Sequence, residues 1–498
     1  MRKSLTNKTT AVITMAAMLF SMAACGSQEA APATTDSAQP EANTETATAE
    51  ATTEAAAEAT EAPSDEYDPY QVITDASGNP IDLGGMEIII RDWWSSEEPA
   101  APANDYEEAL QEYRDWIQET YNFTIKSQAF GDWGSTPTDF VDYATSGGDE
   151  NYLFVLRDDP AITSAMANGL MYDLSTLDCL DFSEDKFQRN LLHEQYSIGD
   201  SIYAMFAGYS EARTGVYFNK RLLTDAGIDP ESIYDMQADG TWTWDAFDEL
   251  MSKVQQDKDN DGTVDVWGLT LNEGVMTTEA VFSNGGSYID KDADGNFVYN
   301  LESPETLEAL EWTVDMFNKY DMPDPEGAEW DYYKEVFLNG QAAFLVEDEY
   351  AGCPGNFLED MQDEVGFVMF PKGPQMDDYI NVWTNNPVAI PACYDADKAW
   401  KLAFAWNLYT NAPSAEYYDY NGYLSTARNG KFDERAVDET ITMMTEKGTV
   451  EYHGMVPNLS LGSDFVWNIG PNCVVSEQVE AIRDTWKAYV DEANAAKK

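Results

Sequence analysis

Hydrophobic positions along the chain alternate between short solid runs and spaced stripes. Residues 86–90, 153–156, 216–218 and 367–370 are compact apolar runs, the pattern of strands buried on both faces. Between them, apolar residues recur every three or four positions. Tyr106, Leu110, Tyr113 and Ile117 form one face of a helix predicted over residues 105–119. Thr243 stands where its hydroxyl can accept from first-turn amides of a helix carrying Phe247, Leu250, Met251 and Val254. Ser303-Pro304 opens another, with Leu307, Leu310, Val314 and Phe317 on its buried face. Proline fits the first helical position because the N–H it lacks would have no helical partner there. Two further stripes predict helices over residues 397–409 and 476–490. Strands alternating with helices predict an α/β protein.

The N-terminal segment follows neither pattern. A basic start (Arg2, Lys3, Lys8) precedes an apolar-leaning run over residues 11–24 and then Cys25. The run is too short for a spanning helix, which needs about 20 apolar residues, and has the length of a signal-peptide core. Ala23-Ala24 before the cysteine and Gly26-Ser27 after it resemble a bacterial lipoprotein signal, with Met22 where leucine is usual. That resemblance implies removal of residues 1–24, a lipid on Cys25, and a place on the outer face of the cell membrane. Residues 25–68 are built mainly from Ala, Thr, Glu, Pro and Ser, and no Lys or Arg occurs between Lys8 and Arg91. Such a segment cannot bury a core and is expected to be a disordered acidic spacer.

Composition narrows the function. With 28 basic and 91 acidic residues the formal charge is −63, which excludes nucleic acid as a partner because phosphate binding needs a basic footprint. Aromatic residues make up 13% of the chain, with 14 Trp and 28 Tyr, enough for cores and for faces that stack on sugars. Cys179, Cys353, Cys393 and Cys473 form no CxxC or Cys/His cluster, so zinc has no ligand set. One or two disulfides and four buried thiols both remain open. His193 and His453 have no metal-ligand neighbour at helical spacing, and GxSxG, HExxH, P-loop and GxGxxG motifs are absent. No catalytic residue or required cofactor emerges, and the chain is read as a non-enzyme.

Six segments, in order, resemble extracellular solute-binding proteins (family 1 type) of ABC importers. Gly215-Val-Tyr-Phe-Asn-Lys-Arg-Leu-Leu-Thr-Asp-Ala-Gly-Ile228 is similar to the family's YNKxLFxxAGI segment, and Thr243-Trp244-Asp245 to its TWDE helix start. Phe337-Leu-Asn-Gly-Gln-Ala-Ala-Phe344 resembles FxxGKAAM, and residues 365–374 resemble the strand ending in PKGP. Residues 387–391 with Ala399-Trp400 resemble AIP before an AWKF-type helix. Residues 421–428 resemble GxxPAR, with Ser425 replacing proline. The resemblance implies a two-lobed periplasmic-binding-protein-like α/β fold with a hinge and an inter-lobe cleft. Crossings are expected at residues 208–213, 341–347 and 409–413. The first lobe would comprise residues 86–208 plus 346–409, and the second 212–342 plus 412–490.

Ligand residues are expected where strands end at the cleft. Trp93 and Trp94 follow the first strand, and Arg157 and Asp158 follow another. Tyr209 and Arg213 lie at the expected hinge. Glu347 and Tyr350 follow residues 342–346; sugar-binding relatives often have Trp where Tyr350 stands. Trp383 and Asn385 lie in a loop where relatives often touch ligand. Trp330 and Trp467 are secondary ligand candidates, with packing the favoured role. Asp257, Asp259, Asp261, the Thr263 carbonyl and Asp265 follow a calcium-loop pattern, with Gly262 at the sharp turn but Gly268 where an EF-hand has glutamate. An Asp-Gly turn is the alternative there. The similar run from Asp290 to Gly295 is read as a hairpin turn.

The expected protein is a monomeric, lipid-anchored receptor that captures a carbohydrate or oligosaccharide and delivers it to ABC permease subunits. A peptide, polyol or cationic solute is the alternative ligand, and a cell-surface polysaccharide-active enzyme the alternative class.

Overall fold

The computed structural model describes residues 67–96, 101–102, 104–157 and 159–496. The signal segment, Cys25 and the spacer to residue 66, together with Asp158, lie outside the described residues.

Two four-stranded sheets organise the chain. The first has the spatial order Val388–Ala389, Tyr152–Val155, Met86–Asp92, Phe123–Ala129, parallel except for Val388–Ala389 at its edge. The second has the order Val365–Met369, Thr214–Asn219, Ala342–Asp348, Trp267–Leu271. Ala342–Asp348 runs parallel to Trp267–Leu271 and antiparallel to Thr214–Asn219. Every residue of Thr214–Asn219 and of Val365–Met369 is buried, which explains why these strands show no polar alternation.

Helix starts follow their capping residues. Thr243 Oγ1 accepts from the Ala246 N–H at 3.4 Å and starts the helix Trp244–Val254. Ser303 Oγ accepts from Thr306 N–H at 3.2 Å and starts Pro304–Tyr320. The predicted helix near residue 105 is Asp105–Tyr121, capped by Asn104, and the last helix extends over Val475–Ala496. Asp294-Gly295 closes the hairpin of Ile289–Lys291 and Phe297–Tyr299. The described cysteines are all unpaired; Cys393 is exposed and the other three are half-buried. Among the described residues no helix is long and apolar enough to cross a membrane.

The chain passes from the first sheet to the second between Ile202 and Thr214, returns between Trp383 and Val388, and leaves again after the helix Ala396–Tyr409. The expected second crossing at residues 341–347 is therefore wrong. Ala342–Asp348 is an inner strand, with Phe344 opposite both Phe218 and Leu269. An apolar run shows burial but not which strands flank it. Val365–Met369, expected in the first lobe, likewise belongs to the second sheet, paired to Thr214–Asn219. Side-chain amides tie the two crossing segments together. Asn381 accepts from Arg213 N–H at 3.0 Å and donates to the Thr214 carbonyl at 3.1 Å. Asn385 donates to Ser210 Oγ at 2.9 Å and accepts from Glu211 N–H at 3.3 Å.

Candidate functional site: a groove at the edge of the second sheet

Strand direction collects the polar groups. Trp267–Leu271 and Ala342–Asp348 are parallel, so Asn272 and Asp348 emerge on the same edge. Thr214 begins the antiparallel neighbour and lies opposite Asp348 in register, and its hydroxyl donates to Asp348 Oδ1 at 2.7 Å. Arg213 precedes it. The helix Glu273–Ser283 starts at this edge and brings Glu279 to the same place. These residues line a compartment of about 320 Å³ whose outer wall is Trp467.

Trp467, Asn272 and Gly274 also line a second compartment of about 810 Å³, so the two form one groove. Trp330, Tyr333, Glu273, Asp321 and Asp324 complete the larger compartment. Trp330 and Trp467 are 75% and 71% exposed. The Trp467 ring lies against two glycines. A Cβ at Gly462 would stand 2.7 Å from its Cζ2, and one at Gly274 3.3 Å from its Cδ1. Glycine at these positions leaves room for the indole, which keeps one large face in solvent. Packing, the role favoured for these two tryptophans, does not account for rings so largely exposed. Trp330 lies in a turn and Trp467 in a three-residue 3-10 helix, too short to carry a periodic signal.

Burial shifts several carboxyls. Glu279 is 2% exposed, and burial raises its pKa well above the usual carboxylate range; one oxygen accepts from Val382 N–H at 3.3 Å and the other has no hydrogen-bond partner. Desolvation raises Glu273, and Asp324 raises it further; Asp321 is raised well above its ordinary value by burial, then by Glu273 and Asp324. Glu347 rises to about 7, by burial first and then by Asp348.

The predicted ligand residues divide. Arg213 lines the smaller compartment; its guanidinium donates to the Thr384 carbonyl and pairs with Glu211 at 2.8 Å. Glu347 lies beneath the groove, accepting from the Tyr333 hydroxyl and from Asp348 N–H. Tyr350 is half-buried close to it. Trp383 is 5% exposed and its indole donates to the Met444 carbonyl at 2.8 Å, so it packs rather than faces ligand. Asn385 is buried in the crossing clamp already described, a hinge role rather than a ligand one. Tyr209 lines a separate cavity of about 540 Å³ with Tyr409, Tyr418 and Arg114, and the Arg189 guanidinium stacks on its ring at 4.8 Å.

At the C-terminal ends of the first sheet, Trp93 packs on the core while Trp94 is 57% exposed, the two rings edge to face at 4.7 Å. Buried Asp92 shapes this turn, accepting from the N–H groups of Trp94 and Ser95 at 3.2 and 3.0 Å. Arg157 stacks on Trp133 at 4.0 Å and pairs with Asp159 at 2.9 Å. Asp158 lies outside the described residues.

In the Asp-rich loop, ligand oxygens of Asp257, Asp259 and Asp265 come within 4.8 Å of one another. All are hard oxygen donors, the set that suits calcium. Asp261 instead accepts from Thr263 N–H at 2.7 Å, and Asp257 from Gly262 N–H at 2.9 Å.

The profile of the bacterial extracellular solute-binding protein family matches residues 183–438, and the chain belongs to that family. Among solved structures, the chain is similar to the cyclic α-maltosyl-1,6-maltose binding protein of Arthrobacter globiformis, at 15% identity and TM-score 0.55, covering 83% of this chain and 100% of that one. It is similar to UgpB of Mycobacterium tuberculosis in complex with glycerophosphocholine, at 16% identity and TM-score 0.53, covering 82% and 99%. It is also similar to the ABC substrate-binding protein Lmo0181 of Listeria monocytogenes in complex with cycloalternan, at 18% identity and TM-score 0.51, covering 83% and 98%. These likenesses show the two-lobed periplasmic-binding-protein fold, and the family makes the chain an extracellular solute-binding protein.

Proposed function

We propose that this receptor captures a carbohydrate, an oligosaccharide of at least two units, in the groove divided by Trp467, and delivers it to an ABC permease. The exposed, glycine-seated face of Trp467 above a polar floor carries the reading. A sugar ring stacks its C–H face on an indole while side-chain oxygens and Arg213 meet its hydroxyls. Two of the similar proteins are a maltose-type binding protein and a cycloalternan complex, which supports the ligand class. Calorimetry of the full chain against linear and cyclic oligosaccharides tests it; binding to none of them would remove the carbohydrate assignment.

The lipid on Cys25 would hold the receptor beside its permease at the outer membrane face. Mass spectrometry of the mature N-terminus tests this, and an unmodified Cys25 defeats it. Calcium held by Asp257, Asp259 and Asp265, with the Thr263 carbonyl, would brace the loop before the strand Trp267–Leu271. Chelation should then lower the Tm, since an ion bound only by the folded state stabilises it. An unchanged Tm removes the ion from the account.

A further inference from the structure

We propose that the larger compartment takes a protonated amine, so that the captured saccharide is an amino sugar or carries an ammonium group. The proposal rests on the carbohydrate reading of the same groove and adds the charge of its ligand.

Three features of the lining favour a cation. First, Trp330, Trp467 and Tyr333 contribute aromatic rings, and the negative face of an indole attracts a cation within about 6 Å. Second, Glu273, Asp321 and Asp324 line the same space, and none of the three forms an ion pair among the described residues. No lysine or arginine lines it. The nearby Lys334 lies 5.3 Å from the Trp330 ring centre but is paired to Asp331 at 3.2 Å. Third, the charged groups of the lining are all carboxyls. Sugar hydroxyls can donate to these carboxylates but leave their charge uncompensated. An ammonium group only donates.

Electrostatics point the same way. Asp324 raises the pKa of Glu273, and both raise that of Asp321, so a cation among them relieves that repulsion. In the adjoining compartment, buried Glu279 offers a further polar group to the rest of the ligand. Arg213 lines only that compartment, which suits a neutral unit there and a charged one beyond Trp467.

The test titrates the full chain with the glucosamine disaccharide, with its N-acetylated counterpart, and with choline, following tryptophan fluorescence and calorimetry at pH 6.5. The amine form should bind about tenfold more tightly than the acetylated form, the scale of a cation on aromatic faces beside carboxylates. Asp324→Asn and Glu273→Gln should each weaken amine and choline binding by roughly threefold to tenfold and leave the acetylated sugar unchanged. Both side chains are exposed, so neither variant is expected to disturb folding. Equal binding of the two disaccharides overturns the amine inference and leaves the carbohydrate reading standing. Choline binding sensitive to Asp324→Asn, with neither sugar bound, upholds the cation site and removes the carbohydrate. No response to choline or to the amine overturns the inference.

Discussion

At the edge of the first sheet, the arginines lie against rings and carboxylates, although Arg91 Nε has no hydrogen-bond partner among the described residues. Arg157 stacks on Trp133 and pairs with Asp159, and Arg91 lies over the rings of Phe130, Phe154 and Tyr152 at 4.5 to 5.1 Å. At the edge of the second sheet, Glu273, Asp321 and Asp324 form no ion pair among the described residues, and Glu279 has an oxygen with no partner. Both edges expose tryptophan. They differ in how much of their polar chemistry is left for a ligand. The lesson is that a charged residue at a strand end indicates a site only when its own neighbours do not satisfy it. By that measure the edge of the second sheet is the better candidate for the proposed ligand site, with Trp94 exposed at the edge of the first.

The contrast between a tryptophan that packs and one that faces solvent gives the largest expected effect. Trp383→Ala should cost about 3–5 kcal/mol of stability in denaturant unfolding, the usual range for removing a buried tryptophan. A loss below ~1 kcal/mol would contradict its packing role. Trp467→Ala should leave unfolding nearly unchanged and weaken saccharide binding by about 2 kcal/mol, roughly 30-fold, in calorimetry. Unaltered affinity would move the site away from this edge.

Next comes a pH effect. Burial raises Glu349 to about 7 against the opposing Cys353 hydrogen bond. The unfolded chain titrates near 4.3. Between those values the folded state holds a proton that the unfolded state lacks, so stability falls as pH rises from about 4.5 to about 7 and then levels off. The slope for one group is of order 1 kcal/mol per pH unit. Glu349→Gln should remove its share of that slope in a Tm series over this range; an unchanged slope would deny it. The smallest effect tests the seating of Trp467. Gly462→Ala pushes a methyl to 2.7 Å from the ring. It should weaken binding by roughly threefold to tenfold, less than deleting the indole, without touching ligand. Wild-type affinity would mean the ring's position is not critical.

Much of the architecture was legible because local physics decides it. The solid apolar runs became buried strands, three of them inner and Val365–Met369 at a sheet edge, and Thr243 and Ser303 started helices where their hydroxyls could accept. Arg213 was found because it lies beside a crossing, where chain position alone brings a residue to the edge. The choice among tryptophans was not legible. Trp383 ends a fully buried strand, while Trp467 sits in a three-residue 3-10 turn against Gly462, and composition is blind to that difference. Nor could the sequence show that Asn272, Glu273 and Asp348 share an edge, since residues so far apart in the chain meet only through parallel pairing.

By itself, then, the sequence determined the alternation of strands and helices, the capping residues, the acidic character and the family motifs. Each depends on neighbours a few positions away or on composition. The tertiary structure decided which sheet received Val365–Met369, where the chain crossed back, and which carboxylates and indoles came together without partners. Those depend on strand order and on competition among distant groups for the same contacts, and these are settled only when the whole chain is packed.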